Sequence, residues 1–192
     1  MKIKNNPFAA YQKAMIKTGI YFIECDIQWY YIYNPYMLLR ITREAYITYF
    51  QTQNEKHFPF VDDWEQTICF NKNRENKSFD ITYTGKANIA RLIPANNNCP
   101  AVKTVITINT GMYNCNVFAV TSAKNPFCIT INNHFVKPIE KIFPDSANIY
   151  AGENENKPLL WVDSSNDVLA FVLPVRYDKL HNVKSGILAD YS

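Results

Sequence analysis

A succession of short runs rich in β-branched and aromatic residues, separated by asparagine- and proline-bearing loops, constrains this chain more than any other feature. The runs fall at 20–25, 28–33, 36–42, 65–70, 79–84, 88–93, 103–109, 115–121, 127–131, 147–151, 158–163 and 167–175. They are too many and too short for a helical bundle, so the reading is an α+β fold on antiparallel sheets. Asparagine supplies much of the turn chemistry: there are 22 asparagines against five glycines, and asparagine tolerates the left-handed backbone that turns need. Hydrophobic residues at 47% against 19% charged exclude a disordered chain, because enough apolar area is available to offset the ordering entropy.

Three stretches carry a helical period instead. Over 7–18, Asn6 can cap, Pro7 suits the first helical position and Phe8, Tyr11 and Met15 form the stripe, with Lys13 and Lys17 opposite and Gly19 as the stop. Thr42 can cap a second helix over 43–53, striped by Tyr46, Tyr49 and Phe50. After Asn133 as cap, Phe135, Val136, Ile139, Ile142 and Phe143 recur at helical spacing, with Lys137 and Lys141 opposite. Pro138 removes one intrahelical bond there, which predicts a kink or a later start. Aligning Phe8 with Phe135 brings Met15 onto Ile142 and exposes a repeated β-α-β-β-β unit. The expected organisation is a single compact domain over residues 1–192. Half-units near 1–55 and 127–177 flank a sheet-rich middle, 56–126, and a loosely ordered tail occupies 178–192.

Twenty basic against 17 acidic residues give a net charge of +3, too little to mark a nucleic-acid binder by charge alone, so a basic footprint must be local. No apolar segment follows the basic start Met1 to Pro7, and no stretch approaches the roughly 18 apolar residues of a membrane span. The expectation is a cytoplasmic protein with no membrane partner. Cys25, Cys69, Cys99, Cys115 and Cys128 contain no C-x-x-C and read as free buried thiols. His57, His134 and His181 lack metal-ligand spacing, and neither a nucleophile elbow nor a phosphate-binding glycine loop occurs. Cys128 and His134 are six residues apart, but a thiol within an apolar strand is ordinarily inert. Asp62, Asp63 and Glu65 beside Trp64 could suit a paired-acid site, although adjacent acids on a loop are usually solvated. Trp29, Tyr30, Tyr31, Tyr33 and Tyr36 could stack bases, yet their period-two spacing fits cross-strand packing better. Binding rather than catalysis is therefore expected, with no cofactor, no metal and no catalytic residue assigned.

The segment 127–177 resembles the final half-domain of bacterial DNA polymerase sliding clamps, the β subunit family. Ile129-Thr130-Ile131-Asn132 matches its leading strand, Phe135 and Val136 its helix start, Lys157-Pro158-Leu159-Leu160-Trp161 its P-L-L motif, and Phe171 to Tyr177 its terminal M-P-[VM]-R strand. Tyr31 to Ile41, with Asn34-Pro35 at the turn, looks like a clamp strand pair, and His57-Phe58-Pro59 before Asp62 and Asp63 is similar to the interdomain F-P-D segment. The resemblance implies a clamp-like fold with helices on one face of the sheets. It implies that Lys13, Lys17, Lys137 and Lys141 contact double-stranded DNA, and that Leu173, Pro174, Val175 and Arg176 receive peptide motifs of replication or repair proteins. A homo-oligomer and an origin in a phage or mobile element go with that reading. The alternative is a structural or inhibitory interaction module that borrows the fold without binding DNA.

Overall fold

The computed structural model describes residues 5–93, 99–143, 147–175 and 184–191. The chain divides into two compact units, one of residues 1–93 with 165–170, the other of 94–164 with 171–192.

The first unit opens with α1 (Ala9–Thr18). The helix begins two residues later than its sequence signals suggest, with Pro7 and Phe8 in a turn ahead of it, and the Asn6 side chain closes that turn by accepting from the Phe8 amide at 2.8 Å. Gly19 ends it in the left-handed conformation at φ +80°, where a side chain would be strained. Strands β1 (Ile20–Cys25), β2 (Trp29–Tyr33) and β3 (Met37–Thr42) follow as an antiparallel meander. The Asn34-Pro35 turn is real: the Asn34 carboxamide oxygen accepts from the amides of Tyr36 and Met37, each at 2.9 Å. Thr42 caps α2 (Arg43–Tyr46) by accepting from the Ala45 amide, and the helical path runs on through a wider π turn (Ile47–Gln51) into α3 (Thr52–Asn54). Strands β4 (Gln66–Lys72) and β5 (Phe79–Gly85) complete the sheet in the order β5-β4-β1-β2-β3. Its core is aromatic: Tyr30 stacks on Tyr46 with centroids 3.9 Å apart, Tyr46 on Phe50, and Tyr21 on Phe70 at 4.6 Å. Such offset and stacked pairs add to what area burial supplies. Tyr30, Tyr31 and Tyr33 are thus packing residues.

The strand expected at 88–93 is absent; that segment is a 3-10 turn (Ile89–Leu92) led by Asn88 at φ 55°. The reason is tertiary. The Glu24 carboxylate takes the amides of Ala87 and Ile89 at 3.2 and 3.3 Å, and amides turned toward one carboxylate cannot also feed a ladder.

The second unit begins with β6 (Cys99–Pro100), β7 (Val102–Asn109), β8 (Asn114–Val120) and β9 (Phe127–Asn132). Strands β7, β8 and β9 form an antiparallel three-stranded sheet. Helix α4 (Asn133–Glu140) has Pro138 inside it and starts earlier than expected, not later: its cap is Asn132, not Asn133, and it accepts from the His134 amide at 2.9 Å. Strands β10 (Asn148–Ala151), β11 (Leu159–Val162) and β12 (Val168–Val172) follow. Strand β10 pairs antiparallel with β11 on one side and β6 on the other. Residues 168–170 of β12 group with the first unit and 171–172 with the second. In chain order the helix followed by three strands occurs twice, α1-β1-β2-β3 and α4-β10-β11-β12. The second copy has β9 as its leading strand; the strand expected to lead the first copy, over residues 2–4, lies outside the described residues.

Of the tail expected over 178–192, residues 178–183 and 192 lie outside the described residues. Residues Lys184–Asp190 form α5, because Ile187, 3% exposed, packs with Val117, Ala119 and Cys128, and Leu188 and Tyr191 pack against the same cluster. Ile187 and Tyr191, four apart, with Leu188 beside them give the segment a face worth burying.

Candidate functional site

Burying one face of α1 determines what the other face offers. Tyr11 and Met15 are fully buried and Gln12 nearly so, with the Gln12 side-chain Nε2 donating to the Tyr49 carbonyl at 2.6 Å and the Tyr11 hydroxyl to the Ile32 carbonyl at 2.7 Å. Lys13 and Lys17, one turn apart, are left exposed. Lys72, at the end of β4, joins them: its amide donates to the Gly19 carbonyl at 2.7 Å, which brings the strand end beside the helix end. The three lysines, with Ala9, Gln12, Ile16 and Asn54, line an open pocket of about 360 Å³ with no carboxylate in its wall. Three like charges around one concavity favour an anion.

In the second unit α4 is built the same way. Val136 and Ile139 are fully buried, and Lys137 and Lys141 are exposed one turn apart. Glu140 lies between them in sequence but is engaged by Lys103 at 2.6 Å. This surface pair contributes little stability, yet it removes the one carboxylate nearest the two lysines in sequence from competition. Each predicted lysine pair is therefore assembled on one helix face.

The segment after β12 departs from the expected strand. Regular pairing ends at Val172, since Pro174 has no amide to donate. The backbone is nevertheless tethered: the Val175 amide donates to the Thr130 carbonyl at 2.8 Å, and the Thr130 hydroxyl donates to the Val175 carbonyl. This leaves Leu173 41% exposed, with Pro174 and Val175 half-buried beside β9. Arg176, the fourth residue expected there, lies outside the described residues.

The groups weighed for catalysis are scattered. Asp62, Asp63 and Glu65 are exposed, and Asp63 uses its carboxylate to accept from the Glu65 amide at 2.9 Å. Cys128 is buried in β9 while His134 is exposed at the start of α4. Among the described residues no group of three histidine, cysteine or acidic side chains could hold a metal, and no helix is long and apolar enough to cross a membrane. Trp29 lies under the Arg40 guanidinium at 4.2 Å, and Arg40 in turn donates to Asn166.

Sequence reasoning missed Glu24. It is 1% exposed, the last residue but one of β1, and accepts from the Tyr33 hydroxyl at 2.6 Å and the Thr67 hydroxyl at 2.8 Å as well as the two amides. Burial, and then this hydrogen bond, push the Tyr33 hydroxyl well above the ordinary tyrosine range. An acid inside the run Ile20-Tyr21-Phe22-Ile23-Glu24-Cys25 was the available signal. The arrangement is an anchor that hooks the 86–92 segment onto the sheet, not a reactive centre.

No family model and no curated protein matches the chain. Among solved structures it is similar to the DNA polymerase III subunit beta sliding clamp of Bartonella birtlesii LL-WM9, at 15% identity and a TM-score of 0.42, over 88% of this chain and 66% of that one. It is also similar to a putative DNA polymerase III beta subunit from Eubacterium rectale ATCC 33656, at 9% identity and 0.42, over 90% and 65%. A third is the Bartonella birtlesii clamp bound to griselimycin, at 16% and 0.41, over 88% and 60%. The chain spans less than two thirds of the length of each.

Proposed function

We propose that this chain is a non-enzymatic, clamp-like binding protein whose α1 and α4 faces contact the phosphate backbone of double-stranded DNA. The observation that carries the reading is the pocket whose only charged lining residues are Lys13, Lys17 and Lys72, matched by the exposed Lys137 and Lys141 on α4 and at its end. Lysines on exposed helix faces recognise phosphate as point charges and read no sequence. The order β9-α4-β10-β11-β12, which follows that of the clamp half-domain over 127–177, supports the family reading. On the same reading, Leu173, Pro174 and Val175 with Arg176 receive apolar peptide motifs of DNA-processing proteins. The tether to Thr130 supports this by holding Leu173 outward on a fixed backbone.

The test is duplex binding as a function of salt. Affinity should fall linearly on a log-log plot, and Lys13→Gln with Lys17→Gln should flatten the slope by about 2, near 0.9 for each lost phosphate contact. The same loss is expected for Lys137→Gln with Lys141→Gln. No duplex binding at low salt would refute this reading. The second reading, an interaction module that binds no DNA, is favoured by the net charge of only +3. It predicts peptide capture at Leu173 that the lysine variants leave unchanged.

A further inference from the structure

We propose that one face of the β7-β8-β9 sheet is a docking site for an amphipathic helix of a partner protein, and that α5 is its built-in, displaceable occupant. Strands β8 and β9 are buried on both faces, from Cys115 to Val120 and from Phe127 to Asn132, as a sheet with one solvated face is not. Phe118 looks one way, edge-on to Trp161. Val117, Ala119 and Cys128 look the other way, Ala119 and Cys128 being direct partners across the strands. What covers that second face is α5: Ile187 is buried against these three residues, and Leu188 and Tyr191 pack around them with Ile106 and Ile108 of β7.

The occupant is weakly built for a helix that hides a core. It has seven residues, too few to persist without packing. Gly186 sits inside it, where glycine weakens a helix relative to alanine, yet a methyl group there would meet nothing within 4 Å. Close packing therefore does not require the glycine. The first turn has no acidic residue and the last no basic one, and Asp190 ends the helix, so its charges do not offset the helix dipole. Of its side chains from Gly186 to Asp190 only Ile187 is buried outright. Packing on the sheet is thus nearly all that holds α5, and another helix of the same pattern can supply that packing in its place.

The receiving face is keyed to a helix of defined chemistry. The register of β7 shifts between Lys103 and Thr107. Within the shift the Thr104 hydroxyl oxygen accepts from the Ile106 amide, and the Val105 amide is left to the Tyr191 hydroxyl at 3.0 Å. The matching ligand is a helix with an apolar residue at i, another at i+1 and a tyrosine at i+4, the pattern of Ile187, Leu188 and Tyr191. Beside the site α5 leaves apolar surface uncovered: Val105 is 92% exposed and Val102, on the same strand, 50%. A partner helix longer than α5 covers that as well. The site is distinct from Leu173 to Val175, which are tethered at Thr130, and the proposal does not rest on DNA contact.

Cys128 is a native reporter, since it is 1% exposed and packs with Ile187. Alkylation of the full chain, followed at Cys128 by peptide mass spectrometry, should proceed through release of α5 while the β8 and β9 amides stay protected from hydrogen exchange. Gly186→Ala should slow it about three- to fivefold, the helix advantage of alanine over glycine, and Ile187→Ser should speed it by about tenfold or more. The probe for the site is a synthetic alanine-rich helix of about 15 residues carrying Ile, Leu and Tyr at the spacing of α5. It should bind the Ile187→Ser chain about tenfold or more tightly than wild type, bind Gly186→Ala about three- to fivefold more weakly, and shield Cys128 in the Ile187→Ser chain. Alkylation of Cys128 only together with loss of β8 and β9 protection, no binding of the probe to the Ile187→Ser chain, or pairing of two such chains in place of probe binding would overturn the proposal.

Discussion

Replacing Glu24 by alanine should cost about 3 kcal/mol of stability, the largest effect expected from a single polar side chain here. The carboxylate is 1% exposed and holds four donors. The Tyr33 and Thr67 hydroxyls, at 2.6 and 2.8 Å, make short hydrogen bonds of the charge-assisted kind, worth roughly 1.5–3 kcal/mol each. The two amides, at 3.2 and 3.3 Å, lie at the long end of the range and together contribute about 1 kcal/mol. Against that gross loss of about 4–7 kcal/mol stands the removal of a buried carboxyl group, which returns a few kcal/mol of desolvation cost. The net of about 3 kcal/mol is roughly a 150-fold change in the folding equilibrium. Glu24→Gln keeps one oxygen for the two hydroxyls but sets an amide against the Ile89 amide, so about 1–2 kcal/mol is expected. Urea titration measures the total. Hydrogen exchange locates it, since the Ile89 amide should lose protection before those of β1 and β4, whereas the Ala87 amide keeps the Thr67 hydroxyl oxygen as an acceptor at 3.1 Å. An alanine variant within about 0.5 kcal/mol of wild type, with the Ile89 amide still protected, would show that the hook is not what holds 86–92.

Two further outcomes follow. Burial, with Lys56 nearby, lowers the His57 pKa from its ordinary value, so the unfolded chain binds the proton more readily. Stability should accordingly fall as pH drops below about 6.5, and His57→Asn should remove that component from a series of melts between pH 7.5 and 5. Ile187→Ala should destabilise by about 2 kcal/mol, the low end for a buried aliphatic residue because only one face of α5 is covered. It should also speed exchange of the Val105 amide, which depends on Tyr191 just past the end of α5.

Periodicity and turn chemistry were enough to place most elements. Val, Ile, Tyr and Phe alternation located β1, β2 and β3 to within a residue, Thr42 marked the second helix, and Asn34-Pro35 marked its turn, because these signals act over a few residues and need no distant partner. The lysine faces of α1 and α4 were legible for the same reason, since a stripe buried at helical spacing dictates the opposite face. Three things escaped. Residues 88–93 have strand composition but turn around Glu24, more than 60 residues away in the chain. Residues 184–190 have too few apolar positions to announce a helix that exists by packing on Val117 and Cys128. Lys72 carried no sign that its backbone bond to Gly19 would set it beside Lys13 and Lys17. Local patterning thus determined which segments are strands and helices and which helix faces are charged. Tertiary structure alone decided where a buried carboxylate, a short terminal helix and a third lysine found their partners, since each depends on contacts between residues that chain order keeps far apart.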